Sequence, residues 1–233
     1  MNARALDWSE KPWGEREIDL SIDEGTIHGA LNVPSAAMGL VIFPQGSGSS
    51  RHSRRNRALA TMLQEARLAT LVFDLLTERE ERIDHVTMTL RLDVELLARR
   101  LGTVTAWVRS QPVIGRLPLG YFGASTGAAA ALVAAARNPR GIRAAVSRSS
   151  RPDLAGMNLP RVRAPILFIV GGEDLRMIRL NEEAMKRMRC TVKLEVVPGA
   201  GHLFEEPGTL ARAAELAVIW FAEHLPERSA AAE

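Results

Sequence analysis

The sequence predicts an α/β protein with a mostly parallel central sheet and helices on both faces. Short apolar runs alternate along the chain with longer stretches of helical periodicity. Several of the apolar runs are almost continuous, which is typical of central strands that helices cover on both faces. A length of 233 residues and a hydrophobic fraction of 46% favour a single domain with one core, placed at about residues 16–225.

The order of the predicted elements begins with a β-hairpin. Two strand-like runs, 16–22 and 26–33, flank the turn signal Asp23-Glu24-Gly25. Further strands are predicted over 39–43, 68–74, 117–123, 142–147, 165–171 and 193–199. Helices are predicted over 53–67, 88–110, 126–137, 178–188 and 208–225. The charged segment 75–87 is predicted as a loop that forms a mobile wall at the rim of the sheet.

The composition of the chain indicates in which cellular compartment it works and which partners it has. The single cysteine, Cys190, cannot form an internal disulfide and is expected to be an inert structural thiol, which suits a reducing compartment. The N-terminus has no signal-peptide pattern, and no apolar run reaches about 18 residues. A cytoplasmic protein without a membrane partner is therefore expected.

The charge pattern argues against nucleic acid as a partner. The net charge is only +3, and aromatic residues make up 5% of the chain. The densest basic run, "RHSRRNR" at 51–57, lacks the stacking aromatics or recognisable module of a nucleic-acid site. It is predicted to be a solvated helix start, and attraction of anionic ligands is the alternative.

One serine lies in a sequence pattern that is typical of a catalytic nucleophile. Gly123-Ala124-Ser125-Thr126-Gly127 matches G-x-S-x-G between a predicted strand and a predicted helix. In this pattern the chain turns so sharply that a Cβ at either glycine would clash, and the serine projects above the sheet edge. Ser125 is therefore predicted as a nucleophile, and a structural turn with a capping serine is the alternative.

A serine nucleophile needs a base and an acid that orients it. His202 lies in a glycine-rich loop between the last predicted strand and helix, where sites form on open α/β sheets. The acid is expected after the strand at 165–171, where Glu173 and Asp174 compete. Asp174 is the predicted acid because it lies further into the loop, and Glu173 is expected at the rim.

The negative charge of a reaction intermediate would need two backbone donors. The N–H of Thr126 is the predicted first donor. The second is expected in the glycine- and serine-rich loop that begins at Gln45, where Ser47 is the best candidate and Gly46 or Gly48 are near alternatives. Phosphate binding by this loop is disfavoured because the G-x-x-x-x-G-K-[ST] pattern is absent.

With these residues in place, the chain resembles the α/β-hydrolase superfamily, and more narrowly its dienelactone-hydrolase-like branch. The resemblance covers about residues 16–225 and is carried by "FPQGSGSSRHS", "LVFDLL", "GASTG", "FIVGGED" and "GAGHLFEEPG". The segments "GSGSSRHSRRNRALA" and "SRSSRPDLAG" are similar to a bacterial subgroup of small hydrolases, some of them fused to a phosphoribosyltransferase domain. The resemblance implies an α/β-hydrolase fold and a hydrolase that uses a Ser125–His202–Asp174 triad.

Two departures from the family pattern bear on the substrate. Dienelactone hydrolases use a cysteine nucleophile where this chain has Ser125, which favours ordinary ester hydrolysis. The oxyanion loop of many relatives begins His-Gly, whereas here it reads Gln45-Gly46, and both residues are candidates for substrate contact. Neither a cofactor nor a metal is predicted.

The segment after the strand at 142–147 is too short for a cap domain, so an open, shallow site for small or short-chain esters is expected. Arg148 and Arg151 lie at its rim and either pair with Asp153 and Glu173 as braces or bind a substrate carboxylate. The expected partner is a small-molecule ester, and a homodimer is left open. Thioester, lactone or peptide hydrolysis and a non-catalytic binding protein are the alternatives.

Overall fold

The computed structural model describes residues 6, 8, 13–45 and 51–226. Its strands are β1 (Gly14–Ile22), β2 (Gly25–Val33), β3 (Gly39–Gln45), β4 (Leu68–Asp74), β5 (Leu119–Ala124), β6 (Ala144–Arg148), β7 (Ile166–Gly171) and β8 (Val192–Val197). They form one sheet in the order β1-β2-β4-β3-β5-β6-β7-β8. The β1–β2 hairpin is antiparallel and joins β4 antiparallel, and all other pairs are parallel. The predicted hairpin and mostly parallel sheet are confirmed.

Helices cover both faces of this sheet. They are α1 (Arg54–Glu65), α2 (Glu78–Thr87), α3 (Val94–Ser110), α4 (Ser125–Arg137), α5 (Leu175–Met185) and α6 (Thr209–His224). One apolar cluster packs α3, α4 and α5 against the sheet, and a second packs α1 and α6 against its other face. The near-continuous apolar strands β3 to β7 are buried for this reason. Within the described ranges, no helix is long and apolar enough to span a membrane.

The segment 75–87, predicted as a loop, contains helix α2 instead. Thr77 begins the helix with a capping box, in which its hydroxyl accepts from the Glu80 N–H at 3.3 Å and its own N–H donates to the Glu80 carboxylate at 2.8 Å. Arg100 of α3 donates two hydrogen bonds, of 2.6 and 2.7 Å, to the same carboxylate. These bonds lower the pKa of Glu80 against the opposing effect of burial. The Glu80 carboxylate therefore fixes this segment to the body of the protein.

The helix predicted over 88–110 begins six residues later, at Val94. Met88 ends α2 in a left-handed conformation with φ of +55°, so the chain cannot continue as one helix. Asp93 then caps α3 by accepting a hydrogen bond of 2.9 Å from the Leu96 N–H. The structure therefore has two helices and a short 3₁₀ turn where the sequence predicted a loop followed by one long helix.

The connection between β6 and β7 contains no cap domain. Residues 149–165 hold only short 3₁₀ turns over Pro152–Arg161, which are interrupted at Gly156 with φ of +52°. The carboxyl ends of the parallel strands are therefore not covered by an insertion at this point. This confirms the predicted fold class.

Candidate active site

The serine of the G-x-S-x-G pattern lies where β5 passes directly into α4. Ser125 is exposed and has φ of +51°, a conformation that costs a residue with a side chain about 1–3 kcal/mol. A Cβ at Gly123 would lie 2.4 Å from Ala128 Cα, and one at Gly127 would lie 2.6 Å from the Pro44 carbonyl oxygen. Both glycines are therefore required by the close packing of strand on helix, and the tight turn holds the hydroxyl at the start of α4.

The histidine and the acid predicted from sequence lie together in the structure. His202 Nδ1 is 2.6 Å from Asp174 Oδ2, and the other carboxylate oxygen accepts a hydrogen bond of 3.3 Å from the Met177 N–H at the start of α5. The Asp174 side chain is 14% exposed and that of His202 is 44% exposed. Because a carboxylate faces Nδ1, the neutral imidazole carries its proton there and leaves Nε2 as the basic nitrogen.

The competing carboxylate, Glu173, does not take that position. Its side chain is exposed, and its backbone N–H donates a hydrogen bond of 3.0 Å to the Ala200 carbonyl. A Cβ at Gly171 would lie 2.3 Å from the same carbonyl oxygen, so the end of β7 packs closely on the histidine loop. This close approach places the side chain of Asp174, the residue after Glu173, beside the imidazole.

Other residues that hold the histidine loop were not found by sequence reasoning. Ser149, just after β6, donates a hydrogen bond of 2.8 Å from its hydroxyl to the His202 carbonyl. The Gly201 N–H donates to the Glu206 carboxylate at 3.0 Å, and this hydrogen bond is the main cause that lowers the pKa of Glu206. Arg55 of α1 donates a longer bond of 3.4 Å to the Leu203 carbonyl. The contacts of Ser149 and Arg55 join segments far apart in sequence, whereas the Gly201–Glu206 bond lies within the histidine loop.

The predicted oxyanion donors are only partly described. Ser47 and the glycines at 46 and 48 lie outside the described residues. Thr126 is half-buried in the first turn of α4, where backbone N–H groups have no partner within the helix. The buried side chain of Gln45, a candidate for substrate contact, instead accepts a hydrogen bond of 2.5 Å from Asn56 of α1. The glutamine thus braces the end of β3 against α1.

Two arginines of the basic run 51–57 are engaged in ion pairs. Arg51 donates from its backbone N–H and from its guanidinium to the carboxylate of Asp74, at 2.8 and 2.6 Å. Arg55 donates to the exposed carboxylate of Glu205 at 3.0 Å. Helix α1 starts within this run, as predicted. The positive charges of Arg51 and Arg55 pair with carboxylates of other segments.

Arg148 and Arg151, predicted together as braces or carboxylate ligands, have different surroundings. Arg151 donates two hydrogen bonds, of 2.8 and 2.7 Å, to Asp153 and is therefore a brace. Arg148 is 6% exposed and lies over the Phe204 ring, 5.3 Å from its centroid. Its Nε and Nη1 atoms are buried without a hydrogen-bond partner in the described part of the chain. Burial, with a smaller contribution from Arg55, lowers the pKa of Arg148 to about 10.

The lone cysteine is separate from this arrangement. Cys190 is half-buried beside the cluster that packs α3, α4 and α5, and burial raises the pKa of its thiol. A raised pKa makes a thiol less reactive at neutral pH. Among the described residues, no three His, Cys, Asp or Glu side chains gather into a group that could hold a metal ion.

The parallel sheet, the serine turn after β5 and the paired loops after β7 and β8 define the α/β-hydrolase class. Within that class, the family model described as "Dienelactone hydrolase family" matches residues 31–225. The chain belongs to the dienelactone hydrolase family.

Solved structures agree with this assignment. A crystal structure of a dienelactone hydrolase from Anabaena variabilis is 50% identical in sequence, with a TM-score of 0.88, and the match covers 91% of this chain and 99% of that one. Est1E from Butyrivibrio proteoclasticus, in a structure with bound ferulic acid, is 16% identical with a TM-score of 0.73, covering 89% and 98% of the two chains, and shares the fold. The family and the dienelactone hydrolase from Anabaena variabilis support a hydrolase of the ester or lactone type.

Longer relatives carry another name. Two proteins of Mycobacterium tuberculosis strains, both named as phosphoribosyl transferases, are 51% identical to this chain over 217 residues. The match covers 93% of this chain and 48% of each relative, so the chain spans about half the length of these relatives.

Proposed function

We propose that this chain is a serine hydrolase that cleaves small or short-chain carboxylic esters through an acyl-enzyme. The observation that carries the proposal is the 2.6 Å contact between His202 Nδ1 and Asp174 Oδ2, on the same rim as the strained, exposed Ser125. A strained residue is retained where the surrounding structure enforces it, and such residues cluster at active sites.

The proposed reaction has two halves. His202 Nε2 accepts the proton of the Ser125 hydroxyl as its oxygen attacks the ester carbonyl carbon, and the Thr126 and Ser47 N–H groups stabilise the oxyanion. The imidazolium returns the proton to the leaving alcohol, which departs as the acyl-enzyme forms. His202 then takes a proton from water, which attacks the acyl-enzyme and releases the carboxylic acid and the free Ser125 hydroxyl. Asp174 keeps the imidazole oriented throughout.

Openness of the site supports a small or short-chain substrate. The short connection 149–165 places no domain above the strand ends, and the side chains of Ser125 and His202 are exposed. An uncovered site offers a long acyl chain little apolar surface to bury, so extra methylene groups add little binding energy. A serine nucleophile favours oxygen esters over the dienelactone of the family name. Thioester, lactone and peptide hydrolysis on the same residues, or ligand binding without catalysis, are the competing functions.

A substrate panel tests the proposed function. Purified protein should hydrolyse 4-nitrophenyl acetate and butyrate well above a His202→Ala control, with kcat/KM falling from about eight acyl carbons onward. A thioester and a lactone of matched size should react more slowly than the butyrate ester. Activity no greater than that of His202→Ala on every substrate would contradict a hydrolase. Faster turnover of the lactone or of long-chain esters would show that the short-chain ester is not the preferred substrate class.

We further propose that Arg148 binds an anionic group of the substrate. Its buried guanidinium has no carboxylate partner among the residues described, although burial of an unpaired charge is costly. It ends β6 beside Ala124, the residue before Ser125, and contacts Phe204 two residues after His202. A substrate carboxylate would supply the missing counter-charge between nucleophile and base.

Arg148→Met should therefore change selectivity. We expect kcat/KM for an anionic ester, 4-nitrophenyl hemisuccinate, to fall by roughly 10–100-fold, the value of a hydrogen bond to a charged group. Hydrolysis of the neutral butyrate should change less than threefold. Arg151→Met, which removes an arginine that Asp153 already pairs, is the matched control and should leave the ratio of the two substrates unchanged. Equal losses on both esters would show that Arg148 has no role in substrate choice.

A further inference from the structure

Ser149 is a strained residue outside the proposed triad. It lies immediately after β6 with φ of +44°, a left-handed conformation that glycine adopts freely and serine does not. It is 3% exposed, so its side chain is not at a freely variable surface position. A side-chain interaction that glycine could not make would explain why a strained serine occupies this position.

The hydroxyl of Ser149 makes such an interaction. It donates a hydrogen bond of 2.8 Å to the backbone carbonyl of His202, across 53 residues of sequence. The Ser149 N–H donates in turn to the Ile169 carbonyl of β7 at 2.9 Å, which fixes the serine backbone to the central sheet. The hydroxyl thus connects the sheet to the backbone of the proposed base.

This bond complements the one made by the imidazole. Asp174 holds the ring of His202 through Nδ1, whereas Ser149 holds its main chain from the neighbouring strand. The contact from the other side, from Arg55 to the Leu203 carbonyl, is longer at 3.4 Å and exposed. An imidazole attached to a loose backbone would keep its hydrogen bond to Asp174 and still move relative to Ser125.

We propose that Ser149 is a positioning residue for the reaction, one whose hydroxyl fixes the main chain of His202 so that Nε2 stays aligned with the Ser125 hydroxyl. The inference rests on the proposed serine-hydrolase function. It concerns orientation of the base, so it predicts an effect on kcat and little effect on KM.

Two substitutions separate the hydroxyl from the strain. Ser149→Ala removes the hydroxyl and keeps the strain, whereas Ser149→Gly removes both. On 4-nitrophenyl butyrate, each should lower kcat by roughly fivefold, the value of one neutral hydrogen bond, with KM changed less than twofold. The glycine variant should melt about 2–4 °C above the alanine variant because its backbone is unstrained. Equal loss of activity in two variants that differ in melting temperature would separate positioning from stability.

A matched control is the adjacent buried serine. Ser150 donates to Asn181 of α5 at 3.1 Å and makes no described contact with the histidine loop, so Ser150→Ala should leave kcat unchanged. Wild-type kcat in both Ser149 variants would overturn the inference and leave the proposed function intact.

A second measurement does not depend on turnover. In ¹⁵N-histidine NMR spectra, the His202 Nδ1–H signal should be sharp in the wild type and broadened in both Ser149 variants. An inactive wild-type protein would contradict the proposed function alone, whereas an unchanged signal in the variants would contradict the positioning role.

Discussion

Ser125→Ala is expected to lower kcat for 4-nitrophenyl butyrate by roughly 10⁵–10⁶-fold, leaving only the residual catalysis that the oxyanion donors and substrate binding supply. No other described hydroxyl on the rim combines exposure, a position at the start of a helix and a conformation imposed by two glycines. Without the oxygen no acyl-enzyme can form, and His202 has no proton to accept. Burst kinetics with the wild type and mass spectrometry of an acylated Ser125 peptide would check the mechanism directly.

The same position offers a control for folding. Ser125→Gly should be as inactive as Ser125→Ala, yet it should raise the free energy of unfolding by about 1 kcal/mol relative to alanine, because glycine adopts φ of +51° without strain. Thermal melts of the two variants measure this difference. Activity in either variant above a few per cent of wild type would contradict Ser125 as the nucleophile. Equal melting temperatures would instead contradict the strain argument alone.

The parts of the site that sequence predicts are those with local causes. The turn at Ser125 depends on residues two positions away on either side, where a missing Cβ has an immediate steric reason. Asp174 and His202 each follow a strand, and the parallel order of β7 and β8 brings the ends of those strands to one edge. The fold class, the order of the strands and the candidate triad could therefore be predicted without a structure.

The start of helix α2 has a signal in the sequence. Thr77 and Glu80 have the spacing of a capping box, which predicts a helix start inside a segment that looks like a charged loop. One charge of that segment, on Glu80, is paired with Arg100, which lies in the next helix. Composition alone cannot distinguish such a fixed helix from a solvated loop.

The contacts of Ser149 and Arg148 could not have been predicted in this way. Both depend on how the end of β6 meets the histidine loop, and neither residue lies in a pattern that specifies its partner. Arg148 and Arg151 look equivalent in sequence, yet one is buried without a carboxylate and the other is paired with Asp153 two residues away. Tertiary packing assigns such roles, and only coordinates reveal them.

Asp174→Asn should lower kcat by roughly 10⁴-fold while the protein stays folded. The amide would keep Oδ1 as acceptor for the Met177 N–H that begins α5, so the helix cap would remain. Its Nδ2 group would replace the oxygen that faces His202 Nδ1, and two N–H groups cannot share that contact. The imidazole would then move its proton to Nε2, where it could no longer accept the proton of Ser125.

Glu173→Gln is the matched control, since it makes the same chemical change one residue earlier. The exposed Glu173 side chain makes no described contact with the imidazole, so kcat should stay within about threefold of wild type. Measuring kcat and thermal melts for both variants on the same ester compares the two carboxylates directly. A larger loss for Glu173→Gln than for Asp174→Asn would transfer the role of the acid to Glu173. Comparable small losses would mean that His202 acts without an orienting carboxylate, which the 2.6 Å contact argues against.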